Sequence, residues 1–179
     1  MNTKWILEIL INKSIEYRNM TQNDKYYADY YKLNKLLYIA HGITLALYDE
    51  KLISSNICNS NIGAYVEEAI YLFFDWGVSP ITREYEGFPI PPDYIEIIDY
   101  IVKYFGTMDK WQLSIMCKQH PYFNKPLKGG SLEIVQNEDI KNYFLSLGIL
   151  DIVDKDYPVV KINKNVNPKL ILTKGINFE

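Results

Sequence analysis

Between Leu33 and Leu47 the apolar residues Leu33, Leu36, Leu37, Ala40, Ile43 and Leu47 recur at steps of three and four. That spacing stacks them on one face of an α-helix and does not fit the two-residue alternation of a half-buried strand. The segment therefore predicts a helix whose stripe other elements must cover. Gly42 interrupts it. Glycine inside a helix costs about 1 kcal/mol relative to alanine, so its presence predicts a neighbouring helix that approaches closely at this point.

The flanking segments read in the same way. Leu7, Leu10, Ile11 and Ile15 make one stripe within a helix from Trp5 to Met20, with Thr3 placed to cap it, and the polar run Thr21 to Asp24 ends it. Lys51 to Gly63 is rich in Ser and Asn, which compete with helix by bonding to nearby backbone, and predicts an ordered loop. Ala64 to Trp76 predicts a third helix, stopped by Gly77 and Pro80. Ile81 to Pro91, limited by prolines, is one short strand or an extended loop. A fourth helix starts near Pro92 with Tyr94, Ile97, Ile98, Ile101 and Phe105 on one face and stops at Gly106. A fifth, capped by Thr107, carries Trp111, Leu113 and Ile115 before Pro121, and a sixth runs from Asn137 through Ile140, Tyr143, Phe144 and Leu147 to Gly148. Val159, Val160, Ile162 and Leu170 to Leu172 lean towards β structure around Pro168 and suggest a short hairpin. The expected fold is mainly α, a single compact domain of about six helices over residues 1–150. Residues 151–179 form a C-terminal extension packed on or continuing that domain.

At 179 residues, with 48% hydrophobic and 23% charged side chains, the chain has the balance of one packed globular domain. A net charge of -3 lacks the basic excess that phosphate neutralisation requires, which disfavours nucleic acid as a partner. Lys155, Lys161, Lys164, Lys169 and Lys174 give the C-terminal segment a basic tint of the kind that solvates a surface. Two cysteines, Cys58 and Cys117, do not make a disulfide framework and fit a reducing cytoplasm. No stretch reaches the roughly 18 apolar residues of a membrane span. Met1 to Ile11 carries no small-residue cleavage site and reads as part of a folded helix.

Candidate chemistry is sparse. His41 stands beside the apolar stripe and reads as a satisfied helix-surface or core histidine. Cys117 and His120, three apart, have the minimum spacing for a thiolate–imidazole dyad or for two metal ligands, with Asp109 as a third group for an enzyme. A buried thiol beside a turn-forming His-Pro pair accounts for the same residues. Asp93, Glu96 and Asp99 follow one helix face, as paired carboxylates or as a solvated surface. Gly129-Gly130-Ser131 resembles a phosphate-cradling turn but lacks the Lys-Ser/Thr pairing of a phosphate loop. These readings assign no catalytic residue, metal ligand or cofactor site.

The run Lys32-Leu33-Asn34-Lys35-Leu36-Leu37-Tyr38-Ile39-Ala40-His41-Gly42, continued by Leu45-Ala46-Leu47-Tyr48 and Lys51-Leu52, resembles the opening helix of the Panacea domain. This is the SocA-like or GepA-like family of antitoxins and phage-associated proteins. Ile97 through Tyr104-Phe105-Gly106 and Trp111-Gln112-Leu113-Ser114 is similar to its second block, and Asn137 to Phe144 to its closing Ile-x-x-Tyr-Phe helix. Ile62-Gly63-Ala64-Tyr65-Val66-Glu67 stands where the family carries a Gly-Pro-Val turn. Cys117-Lys118-Gln119-His120-Pro121-Tyr122 replaces its Thr-His and Pro-Trp pairs. The resemblance implies an antitoxin that neutralises a cognate toxin by direct contact, with no catalytic residues, and leaves the toxin or other target protein and the oligomeric state open. A proteolytic adaptor or a phage counter-defence factor are other binding roles it allows. The competing classes are the Cys117/His120 enzyme and a DNA-binding regulator, though no helix here is rich in the Arg or Lys of a recognition helix. Aromatics in proline-bounded loops offer rigid apolar area for a partner, which makes Phe88, Tyr122 and Phe123 candidate anchors, with Tyr65 and Tyr85 behind them. The alternative for each is that its ring seals the core.

Overall fold

The computed structural model describes residues 1–127, 132–154 and 161–178. Among these stand seven α-helices: α1 (Thr3–Thr21), α2 (Tyr30–Tyr48), α3 (Glu67–Phe73), α4 (Pro92–Phe105), α5 (Lys110–Lys118), α6 (Asn137–Ser146) and α7 (Pro168–Leu172). Beside them lies a three-stranded antiparallel sheet of β1 (Ile57–Ser60), β2 (Gly63–Tyr65) and β3 (Glu133–Val135), in the order β2-β1-β3. The chain is mainly helical, as its periodicity predicts.

α2 is the spine, packed against α1, α3, α4, α5 and α6. Leu33, Leu36, Leu37, Ile39, Ala40 and Ile43 are all fully buried. A helix so surrounded buries its polar side chains too, and a buried polar group is costly without a partner. Lys35 Nζ donates to Ala64 O at 2.6 Å and Asn34 Oδ1 accepts from Val66 N at 2.6 Å. These two side chains dock β2 onto α2, one satisfying a carbonyl of the sheet-edge strand and the other the amide of the residue that follows it. The close neighbour that Gly42 predicts is α6: a Cβ at Gly42 would lie 2.1 Å from Phe144 Cε2.

Three local expectations are corrected. The Ser- and Asn-rich segment is loop only to Asn56, and from Ile57 it is the β1–β2 hairpin, turning through Asn61-Ile62 to Gly63 at φ +89°. Its serine assists the turn, since Ser60 Oγ donates to Gly63 O at 2.7 Å. Ala64 and Tyr65 accordingly belong to β2, and α3 begins only at Glu67, running on into a 3-10 turn over Phe74–Trp76. At the C-terminal end, Leu170, Ile171 and Leu172 are helical in α7, and among the described residues of this segment the pairing is an antiparallel bridge between Val153 and Ile162. Val159, Val160, Lys155 and the Gly129-Gly130-Ser131 turn lie outside the described residues. Tyr100 Oη and Tyr104 Oη donate to Val166 O and Lys164 O, which ties the C-terminal segment to α4.

The caps also differ. Asn2, not Thr3, caps α1, and Thr3 Oγ1 is spent on Ser55, donating to its Oγ at 2.8 Å and accepting from its N at 3.0 Å. Asp109, not Thr107, caps α5, accepting from Trp111 N and Gln112 N at 2.8 Å each while Gln112 Oε1 accepts from Asp109 N at 3.1 Å. This is a reciprocal capping box. Asp109→Ala should cost about 1 kcal/mol and lower the melting temperature by about 2–4 °C in calorimetry. An unchanged melt would mean that the box contributes nothing.

Candidate protein-binding surface

α3 is short and buries only Ala69 and Phe73, one turn apart. The residues between and after them face outwards. Tyr71 is 74% and Phe74 72% exposed, with Leu72 and Val78 also at the surface. Four large apolar side chains are thus exposed within eight positions, a local density of surface apolar groups of the kind that marks an interaction site.

On one side the ridge meets the sheet. Cys58 is paired in register with Tyr65 on β2 and with Ile134 on β3. Directly opposed residues share a face, so these three make one row across the outer surface of the sheet. Beside this row lies a groove of about 640 Å³, lined by Cys58 and Ile134 of the row together with Tyr71, Leu72, Glu67 and Glu68. Glu67 accepts from Tyr71 Oη at 3.1 Å and Glu68 from Ser55 Oγ. Neither carboxylate has an ion pair among the described residues.

On the other side the ridge meets α1 and an extended strap, residues 81–91. Trp5, Glu8 and Asn12 follow one face of α1 at helical spacing. Trp5 stacks on Phe88 at 4.7 Å, and the Asn12 side chain both donates to Tyr85 O and accepts from Tyr85 N, at 2.8 and 2.9 Å. Under the strap is a pocket of about 330 Å³, lined by Lys4, Glu8, Leu72, Phe73, Asp75, Trp76, Arg83 and Tyr85. Leu72 borders both cavities. A third hollow of about 170 Å³ follows beyond Val78, against Tyr31, Ile62 and Trp111. There Lys110 Nζ lies 5.3 Å from the centre of the Tyr31 ring and 5.9 Å from that of Trp111.

Of the five aromatics singled out in the sequence, Tyr65 stands in the sheet row, Tyr85 walls the strap pocket, and Phe88 lies half-buried on Trp5. Tyr122 stacks on His120 at 5.6 Å with Lys125 Nζ 3.8 Å from its ring centre. Phe123 is 2% exposed and meets Tyr38 edge-on at 5.0 Å, so its ring fills the core and offers no surface. Sequence reasoning missed Tyr71, Leu72, Phe74, Trp111 and Ile134. For Trp111 the signal was present: the buried stripe of α5 is Leu113, Met116 and Cys117, and Trp111 sits half a turn away from it.

Cys117, His120 and His41 are built into the core. Cys117 is 1% exposed, and burial pushes its thiol up to about 12. His120 Nε2 faces Asp139 O at 3.3 Å, its Nδ1 has no hydrogen-bond partner, and burial lowers its pKa. The thiolate–imidazole pair is therefore not formed, and Asp109 is occupied as a cap. His41 is buried, with Nε2 2.8 Å from Asn137 Oδ1, and desolvation brings its pKa to about 4, which keeps it neutral. Asp99 meets Lys13 at 3.3 Å and Glu96 meets Lys164 at 3.3 Å, as parts of a solvated face. Among the described residues no three His, Cys, Asp or Glu side chains gather as metal ligands, and no helix is long and apolar enough to cross a membrane.

The family model described as antitoxin SocA-like, Panacea domain, matches residues 33–122, half of the chain. No curated protein and no solved structure matches it. The matched stretch runs from α2 to just past α5, and so contains the β1–β2 hairpin, α3 and the strap.

Proposed function

This chain belongs to the SocA-like antitoxin family built on the Panacea domain, and from that premise we propose that it neutralises a cognate toxin by direct protein contact through the α3 ridge. The reading places the complex in the cytoplasm and requires no chemistry from the antitoxin itself. The observation that carries it is the cluster of Tyr71, Leu72, Phe74 and Val78 at the surface, inside the matched half and bordered by cavities on both sides. Large apolar side chains set between recesses are the arrangement in which a few residues dominate a protein interface.

Growth is the test. The chain is co-expressed with each product of its neighbouring genes that arrests growth when expressed alone, as wild type and as Tyr71→Ser, Leu72→Ser and Phe74→Ser. Each substitution should weaken the complex by about 2 kcal/mol, roughly thirtyfold in Kd, and reduce rescue without lowering thermal stability, because the side chains are exposed in the free protein. Leu170→Ser, at an exposed residue on α7, serves as the control. Full rescue by all three ridge variants, or equal loss in the control, would sink the assignment.

A further inference from the structure

Resting on the toxin-binding reading, we infer that the pocket under the strap receives a cationic side chain of the partner, an arginine before a lysine, with Glu8 as its counter-charge. Glu8 is 4% exposed at the floor of that cavity. Its Oε1 has only Lys4 Nζ at 3.9 Å, and its Oε2 has no hydrogen-bond partner. A buried carboxylate left half-satisfied is costly, and burial accordingly raises its pKa. Incoming N–H donors would satisfy it.

The walls narrow the chemistry. Phe73, Trp76 and Tyr85 line the cavity with rings. A guanidinium is planar, weakly hydrated and able both to stack on an aromatic face and to bind a carboxylate through two parallel hydrogen bonds. An ammonium does the second poorly and the first less well. The chain's own Arg83 lies with its guanidinium carbon 5.4 Å from the Tyr85 ring centre, so this ring already accepts such a group from the rim. Arg83 acts on Glu8 through its charge but makes no ion pair with it at contact distance. Across the lining Lys4 and Arg83 balance Asp75 and Glu8 in charge, so selection comes from the buried Glu8 carboxylate and not from net charge. About 330 Å³ is the size of a small ligand site. Glu8 is on α1, outside the matched residues 33–122, so the pocket adds a determinant that the common part of the domain does not supply.

The test uses the full chain and a defined probe. N-acetyl-arginine amide and its neutral isostere N-acetyl-citrulline amide are titrated to high millimolar concentration, and the Trp76 indole N–H is followed by nitrogen-15 NMR, assigned with Trp76→Phe. Arginine should give a saturable shift and citrulline none. Glu8→Gln, which keeps the shape and removes the charge, should abolish the response while leaving the Trp5 and Trp111 indole signals in place. Tyr85→Leu should weaken it several-fold. No response to arginine, an equal response to both probes, or an unchanged response in Glu8→Gln would overturn the inference. An absent arginine response alongside loss of rescue in the α3 variants removes the pocket and leaves the antitoxin reading standing. An arginine response alongside full rescue by those variants does the reverse.

Discussion

Lys32→Met is expected to destabilise the domain by about 2–6 kcal/mol. The side chain is fully buried, and its Nζ donates to Lys25 O at 2.7 Å and to Gly106 O, while lying 4.2 Å from the centre of the Tyr27 ring. It joins the approach to α2 to the turn between α4 and α5. Methionine replaces most of the volume, so the loss comes from two orphaned carbonyls at about 1–3 kcal/mol each. Urea unfolding would measure it, and a loss below about 1 kcal/mol would mean that water replaces the amine. The same residue sets a pH dependence. Burial brings Lys32 down to about 7, against the pull of Asp29 and Asp109, and Lys35 down to about 8, both from 10.5. Between those values and 10.5 the unfolded chain holds protons that the folded chain has released. Stability must therefore rise with pH from about 7 towards 10, by up to about 1.4 kcal/mol per unit per lysine. Above about 10 it should fall again, because buried hydroxyls such as that of Tyr100 are raised and the folded form keeps protons the unfolded form has lost. Lys32→Met should remove its share of the rising limb.

The features legible in the sequence are those whose cause is local. α2 and α4 announce themselves because a long stripe at helical spacing has one economical solution, and α4 starts and stops on Pro92 and Gly106. The hairpin was not legible, because Ser and Asn at 54–60 specify a turn only once Asn34 and Lys35, far back on α2, take up the β2 backbone. Leu170-Ile171-Leu172 leans towards β by composition. Asn167 nevertheless caps that segment by accepting from Lys169 N at 3.0 Å, and Pro168 supplies the first helical position. The candidate surface suffered from the same blindness to distant neighbours. A ring such as Phe123 or Tyr71 is equally apolar in the sequence, and packing against Tyr38 and His120 encloses Phe123 while Tyr71 is left facing solvent.

Gly42→Leu is expected to cost about 3 kcal/mol or more, although leucine is the better helix former by nearly 1 kcal/mol. The reason is the Phe144 ring, whose Cε2, Cδ2 and Cζ lie 2.1, 2.4 and 2.5 Å from where a Cβ would stand. Carbon atoms pack at about 3.5–4.0 Å, so the ring must retreat by more than 1 Å before the rest of the leucine is placed. It has little room to do so, being 1% exposed and set edge-on to Tyr38 at 5.4 Å and to Tyr143 at 5.9 Å. Moving α6 as a whole would strain the His41–Asn137 bond one residue away on α2. Phe144→Ala alone should cost about 3–5 kcal/mol by opening a cavity. In the double variant the new leucine occupies the space the ring has left, and the two losses should fall short of their sum by at least about 1 kcal/mol. Denaturant unfolding of the four proteins in this cycle decides the matter: strict additivity, or a stabilised Gly42→Leu, would mean that α6 does not press on α2 at this glycine.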